Sequence, residues 1–256
     1  MTNSNLALEV ELSAKIVRAT TAYNIGKPCI SNKAFDALVN KLHSINPNNK
    51  ILKTPFGGNK LSSLDNARLE EWYRGIRKNT DVVIEPKIDG VALAVQYEYG
   101  VLQLAYTRSG RDVTRYAYEV PNIPKTINEK KKITVRGELY AFDEPAPKSQ
   151  TVAAAQLRRK EPNCKLLSFI AFQILDTSLD HIDQLQDLYC FGFQVNNYFV
   201  VNNFWDIKDL HNQWLSGQLW NNLPTDGIVA KINDKHIQER LGQSEKCPHW
   251  ALALKS

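Results

Sequence analysis

Apolar positions recur at helical spacing through the first fifty residues and at strand spacing over most of the remainder. Leu6, Leu8, Val10, Leu12, Ile16 and Val17 predict one helix. Phe35, Leu38, Val39 and Leu42 form the stripe of a second, which starts after Ser31, a side chain suited to capping a helix N-terminus. Gly26-Lys27-Pro28 separates the two. Thr54-Pro-Phe-Gly-Gly-Asn-Lys60 reads as a loop and a domain boundary. Beyond it, seven runs rich in β-branched and aromatic residues predict strands: 81–89, 91–97, 101–108, 133–142, 166–175, 227–232 and 250–255. Tyr99-Gly100 predicts a hairpin turn, and residues 180–189 another helix. The expected fold class is α+β: a small helical module over residues 1–58, then a domain of antiparallel sheets flanked by helices over 59–256.

Composition narrows the class. With 43% hydrophobic and 23% charged residues, the chain is globular rather than disordered or fibrous. The net charge of +5 admits a nucleic-acid partner without demanding one. The longest nearly apolar stretch, 166–175, contains Ser168 and Gln173 and covers about half of a roughly 20-residue membrane span. Met1-Thr-Asn-Ser-Asn5 has neither the basic start nor the following apolar run of a signal peptide. A cytoplasmic protein with no membrane partner is expected. Cys29, Cys164, Cys190 and Cys247 are too scattered for zinc spacing, so four reduced thiols and no zinc are expected.

Four windows carry candidate chemistry. In Val82-Val-Ile-Glu85-Pro-Lys87-Ile-Asp89-Gly90, strand alternation places Val83, Glu85, Lys87 and Asp89 on one face. Two acids and a base on an otherwise apolar strand suit a site. They suit a solvated edge strand equally well, and Pro86 favours an edge. In Ile133-Thr-Val-Arg136-Gly137-Glu138-Leu-Tyr140, Arg136, Glu138 and Tyr140 share a face. In Thr225-Asp226-Gly227-Ile-Val229-Ala-Lys231, an Asp-Gly turn leads to Val229 and Lys231 on one face. Pro248-His-Trp-Ala-Leu-Ala-Leu-Lys255 ends an apolar strand in lysine. Each window alone reads more readily as structural than as functional.

Taken in order, KxDG, RGE, DGxVxK and a strand ending in Lys resemble the covalent nucleotidyltransferases: DNA ligases, RNA ligases and mRNA capping enzymes. The details are similar to the NAD⁺-dependent DNA ligases. Ser63-Leu64-Asp-Asn-Ala67, Glu85-Pro-Lys-Ile-Asp-Gly90, Thr107-Arg108, Leu167-Ser-Phe-Ile-Ala-Phe172 and Pro248 to Lys255 each match a family segment. The resemblance runs from about residue 15 to 255. In the helical module, Tyr23, Pro28 and Asp36 fit the family's nicotinamide mononucleotide (NMN) pattern, while Ala22, Asn32 and Phe35 depart from it. The loop after Arg108 is also shorter than the family's: only Ser109-Gly-Arg111 precedes Asp112-Val-Thr114.

The resemblance implies roles. Lys87 attacks the α-phosphorus of NAD⁺, expels NMN and becomes lysyl-AMP. An amine nucleophile must be unprotonated, and neighbouring cations favour that form; Lys231 and Lys255 supply them and contact the α-phosphate. Glu85 reads the adenine amino group, Phe172 and Val229 sandwich the ring, and Arg108 and Glu138 hold ribose and phosphate. Asp89 and Asp226 orient Lys87 or Mg²⁺, with Asp226 the candidate Mg²⁺ ligand. Ser63 and Leu64 join the nucleotide site; Tyr23, Asn32, Phe35 and Asp36 form the NMN pocket. Arg158-Arg-Lys160 reads equally as a contact to nicked double-stranded DNA or as a solvated turn. An ATP- or GTP-using relative and a non-catalytic subunit remain open alternatives. A full ligase continues into an OB-fold, a zinc module and helix-hairpin-helix repeats. With Lys255 one residue from the end, the chain resembles the adenylation subunit of a phage-type split ligase, whose second subunit carries those modules.

Overall fold

The computed structural model describes residues 3–24, 30–49, 52, 69–243 and 247–256, without the side chains of 3–6, 17, 18, 20–24, 32 and 33. Two compact units emerge: Met1–Gly58 with Arg108–Asp112, and Asn59–Thr107 with Val113–Ser256.

The first unit holds α1 (Asn3–Asn24) and α2 (Asn32–Ile45). Leu12, Ile16 and Leu42 are its buried centre, with Leu8, Phe35, Leu38 and Val39 packed around them. Val10, expected on the apolar stripe, is 63% exposed. At 3.6 residues per turn the buried line runs through Leu8, Leu12, Ile16 and Ala19 and leaves Val10 on the opposite face. Ser31 caps α2, its hydroxyl accepting from Ala34 N at 3.2 Å. Glu9 accepts from the amides of Asn46 and Asn49 at 2.7 and 2.6 Å, which ties the segment after α2 to α1.

The second unit holds two four-stranded antiparallel sheets flanked by helices. Its strands are β1 (Val82–Ile88), β2 (Val91–Glu98), β3 (Val101–Thr107), β4 (Ile133–Ala141), β5 (Leu167–Leu175), β6 (Phe199–Val201), β7 (Thr225–Ile232) and β8 (Ala251–Leu254). Its helices are α3 (Leu69–Arg74), α4 (Thr114–Glu119), α5 (Lys148–Gln156), α6 (His181–Cys190), α7 (Phe204–Leu215) and α8 (Lys235–Leu241). The sheet orders are β6-β1-β7-β8 and β3-β2-β4-β5.

Alternation along β1 sorts its side chains between two cores. Val82 and Ile84 pack with Ile207 and Leu210 of α7, while Val83 joins the core built on the other sheet. Ile88 meets Tyr140 and Ile170, which belong to that second sheet, so the sheets touch at the end of β1. The chain then crosses from one sheet to the other in two residues, Asp89 and Gly90. A Cβ on Gly90 would lie 2.5 Å from the Leu139 carbonyl oxygen and 2.8 Å from Glu138 Cγ, so only glycine fits this corner. Among the described residues, no helix is long and apolar enough to cross a membrane.

Candidate functional site

The site grows from the end of β1. Strand β1 pairs with β7 in register from Val82 to Pro86 and then slips: Pro86 faces Ile228, but Ile88 faces Thr225. Asp226 and Gly227 therefore stand opposite the single residue Lys87, a β-bulge that redirects a side chain beside a site. Gly227 permits it, since a Cβ there would run into the Leu254 carbonyl oxygen. Pro86 lies beyond the last β6 pair, Ile84 with Phe199, where among the described residues that flank of β1 has no strand partner, a place a residue without N–H tolerates.

The bulge delivers a carboxylate to two lysines. Lys87 Nζ donates to Oδ1 of Asp226 and Lys255 Nζ to Oδ2, each at 2.7 Å. Burial opposes ionisation of Asp226, but the two lysines outweigh it and lower its pKa. These side chains keep between 26% and 37% of their surface exposed, so the pairs add little to stability. Two ammonium groups on one carboxylate leave surplus positive charge, which suits a phosphate group.

Asp89, expected on the face of Glu85 and Lys87, sits past the strand on the corner instead. Its amide donates to the Pro224 carbonyl at 2.7 Å. Burial, then the nearby Asp226 charge, raises its pKa, and its buried Oδ2 has no hydrogen-bond partner among the described residues. Glu138 reaches the same region from β4. Burial pushes its pKa up to about 8, against the pull of Lys87 and Arg136.

A second cluster lies one strand repeat back. Glu85 Oε2 is 2.6 Å from Lys231 Nζ and 2.8 Å from His181 Nε2. All three residues are buried. Burial would raise the Glu85 pKa, yet Lys231 and His181 hold it down to about 2. Burial and then Lys231 lower the His181 pKa, so the ring is neutral and donates to the carboxylate. The sequence reading placed Lys231 on a phosphate; here it pairs with Glu85 and lies 4.8 Å over the Phe172 ring. Phe172 occupies a bulge of its own: Arg136 faces Gln173 and Gly137 faces Ala171, which leaves Phe172 as the extra residue of β5. Val229 pairs with Glu85 across β1 and β7 and is partly buried.

Other expected residues are distributed as follows. Arg108 follows β3, with a buried Nε that has no partner among the described residues. Phe35 is partly buried against the α1–α2 core, and Asp36 is exposed. Tyr23 and Asn32 fall within α1 and α2, but their side chains lie outside the described set. Ser63 and Leu64 lie outside the described residues, as do Gly26 to Pro28 and the loop 54–60. Arg158, Arg159 and Lys160 follow α5 and are exposed. A cavity of about 540 Å³ lies beside the site, lined in part by Phe142, Trp214, Leu223, Pro224 and Thr225.

His181 was missed in the sequence. Nothing in its spacing marks it: it is 96 positions from Glu85, and the two meet only because α6 packs against β5 and its first residues are tied to Asn233, just after β7. The one available signal was its place at the start of an expected helix.

The family described as NAD-dependent DNA ligase adenylation domain matches residues 52–256. A DNA ligase from Natranaerobius thermophilus is 27% identical, over 91% of this chain and 43% of that protein. Another, from Fervidobacterium nodosum, is 29% identical over 91% of this chain and 42% of that protein. The chain thus spans about two fifths of the length of the curated relatives it matches. The solved structure "Pmar-Lig_PreS3" shares the fold with a TM-score of 0.53 at 14% identity, over 90% of this chain and 52% of that one. A structure of a Lig E DNA ligase gives 0.50 at 13% identity, over 78% and 68%.

Proposed function

The chain belongs to the NAD-dependent DNA ligase adenylation domain family, and from that premise we propose that Lys87 is its nucleophile and NAD⁺ its AMP donor. The observation that carries this reading is the shared carboxylate of Asp226, which gathers Lys87 and Lys255 from β1 and the end of β8. Asp226 is the base within reach of the ammonium proton of Lys87, at 2.7 Å. The freed amine attacks the α-phosphorus. A nitrogen–phosphorus bond forms, the bridging phosphorus–oxygen bond breaks, and its electron pair leaves with NMN. Loss of the second proton to solvent leaves an uncharged nitrogen in the lysyl phosphoramidate, whose phosphoryl group keeps its negative charge. Protonation of Asp226 neutralises its carboxylate and loosens its hold on Lys255, which can then meet charge developing on the phosphoryl oxygens.

Glu85 reads the base, with Phe172 and Val229 on either side of it, and Lys231 fixes Glu85 rather than the phosphate alone. Arg108 and Glu138 hold the ribose and its phosphate; Ser63 and Leu64 complete the nucleotide site. Tyr23, Asn32, Phe35 and Asp36 belong to the NMN side, on the helical module 1–58, and residues 59–256 form the catalytic domain.

Mg²⁺ fits this set in a limited way. Among the described residues, no three His, Cys, Asp or Glu side chains form a ready-made metal cage. Mg²⁺ needs only one or two carboxylates beside phosphate oxygens and water. Both oxygens of Asp226 are engaged by lysines, whereas Oδ2 of Asp89 is an acceptor without a partner. Asp89, ahead of Asp226, would hold the ion, which would neutralise phosphate charge.

The AMP would next pass to the 5′-phosphate of a DNA nick: a phosphate oxygen attacks the phosphorus, the nitrogen–phosphorus bond breaks, and the leaving Lys87 nitrogen takes back the proton held by Asp226 and recovers its amine. Arg158, Arg159 and Lys160 are the candidate duplex contacts. Sealing would draw on a second ligase subunit that carries OB-fold, zinc and helix-hairpin-helix modules. The donor is tested by incubating the protein with NAD⁺ or ATP and Mg²⁺ and weighing it by mass spectrometry. An AMP adduct from NAD⁺ with release of NMN is expected; an adduct from ATP alone would refute the donor assignment. Nick sealing by the purified chain alone, at the rate of a full ligase, would refute the need for a second subunit.

A further inference from the structure

The ring of His181 is 1% exposed and is fixed from several directions. Its backbone amide donates to the Asn233 carbonyl at 2.9 Å, and the next amide, of Ile182, donates to the Asn233 side-chain oxygen at 2.9 Å. Asp180 accepts from the Lys235 amide at 2.8 Å, and the Asn233 amide donates to the Asp81 carbonyl. The start of α6 is thereby locked to the β7–α8 connection and to the entry of β1. A ring held this way cannot be placed by chance against a buried carboxylate.

Both donors of the cluster address the same oxygen. His181 Nε2 and Lys231 Nζ lie on Oε2 of Glu85, and among the described residues Oε1 has no hydrogen-bond partner. The two nitrogens are 3.4 Å apart, so they flank Oε2 rather than bridge the carboxylate. Building on the reading above, we infer that His181 is a positioning residue for base selection: it turns Glu85 so that Oε1 faces the nucleotide as a lone acceptor. An acceptor at that point pairs with the 6-amino group of adenine and is repelled by the 6-oxo group of hypoxanthine. Lys231 alone would leave the carboxylate free to rotate and offer its cation to a 6-oxo group. The neutral state of His181 keeps the pocket's charge balanced, one cation against one carboxylate.

The test compares AMP-adduct formation from NAD⁺ with IMP-adduct formation from nicotinamide hypoxanthine dinucleotide, at several donor concentrations. The wild type should prefer NAD⁺. His181→Leu should lower that preference roughly tenfold or more, mainly through a higher KM for NAD⁺, and His181→Gln, which restores a donor, should recover it. Should the leucine variant fail to fold, His181→Asn, whose amide stops short of Oε2, carries the same comparison. Equal loss with both donors, or no recovery in His181→Gln, would overturn the inference. A wild type that forms no adduct with NAD⁺ would instead overturn the functional reading on which it rests.

Discussion

Lys87 and Asp226, 139 positions apart in sequence, meet at 2.7 Å because β7 carries an extra residue opposite β1. Asp226→Asn keeps the shape of this contact and removes its charge. It should slow self-adenylation by about 10²-fold or more, the scale of a lost general base. Stability should change little, since the ion pairs are partly exposed. Adduct formation followed by intact mass, with a parallel thermal melt, checks both halves; a rate within about threefold of wild type would rule out the assigned role.

The buried Glu85–Lys231 pair should behave differently. Lys231→Met leaves a buried carboxylate with His181 alone and should destabilise the fold by about 3–5 kcal/mol. The double variant Lys231→Met, Glu85→Gln should regain much of that loss, because no unpaired charge remains. Urea denaturation of the two variants measures the difference, and equal destabilisation in both would contradict it.

Glu85 and Glu138 should give stability opposite pH dependences. Glu138 has its pKa raised from 4.5 to about 8, so the folded state keeps a proton that the unfolded chain releases. Its contribution is greatest below about pH 4.5 and is lost as pH rises toward 8. Glu85 is lowered from 4.5 to about 2, so its contribution is present above 4.5 and lost as pH falls toward 2. Glu138→Gln should therefore flatten the fall of the urea midpoint between about pH 4.5 and 8 and leave the acid limb below pH 4.5 in place. An unchanged slope between about pH 4.5 and 8 would refute the protonated state of the partly buried Glu138.

Gly90→Ala should destabilise by about 1–3 kcal/mol, the range for an overpacked site, because its Cβ has nowhere to go between Leu139 and Glu138. Displacing Glu138 should also disturb adenylation. A variant of wild-type stability and rate would show that the corner is looser than its contacts imply.

Seven of the eight strands of the second unit were legible in the sequence because one or both faces are buried and the side-chain pattern records it; β6 (Phe199–Val201), three residues long and largely exposed, was not. The expected run 91–97 corresponds to β2 (Val91–Glu98), and 166–175 to β5 (Leu167–Leu175). Helix α6 was legible too. Shorter helices were not: α3 and α4 have six residues each, too few for a period to declare itself. Helix α7 was hidden by Trp205, an aromatic 70% exposed that breaks any simple apolar stripe. In the site, the residue types were readable from the four windows, but their geometry was not. The bulges that re-aim Phe172 and Asp226 are properties of strand pairs, and no single strand's sequence states its register. The same holds for His181, whose partner is set by the docking of a helix.

The central claim is that Lys87 carries the AMP, and peptide mapping of the adduct tests it most directly. The protein is incubated with NAD⁺ and Mg²⁺, digested at a pH that preserves the phosphoramidate, and sequenced by mass spectrometry. The account predicts a single AMP-modified residue, Lys87, with one NMN released per adduct and no adduct in a folded Lys87→Ala variant. An adduct on Lys231 or Lys255, or one undiminished in Lys87→Ala, would contradict it.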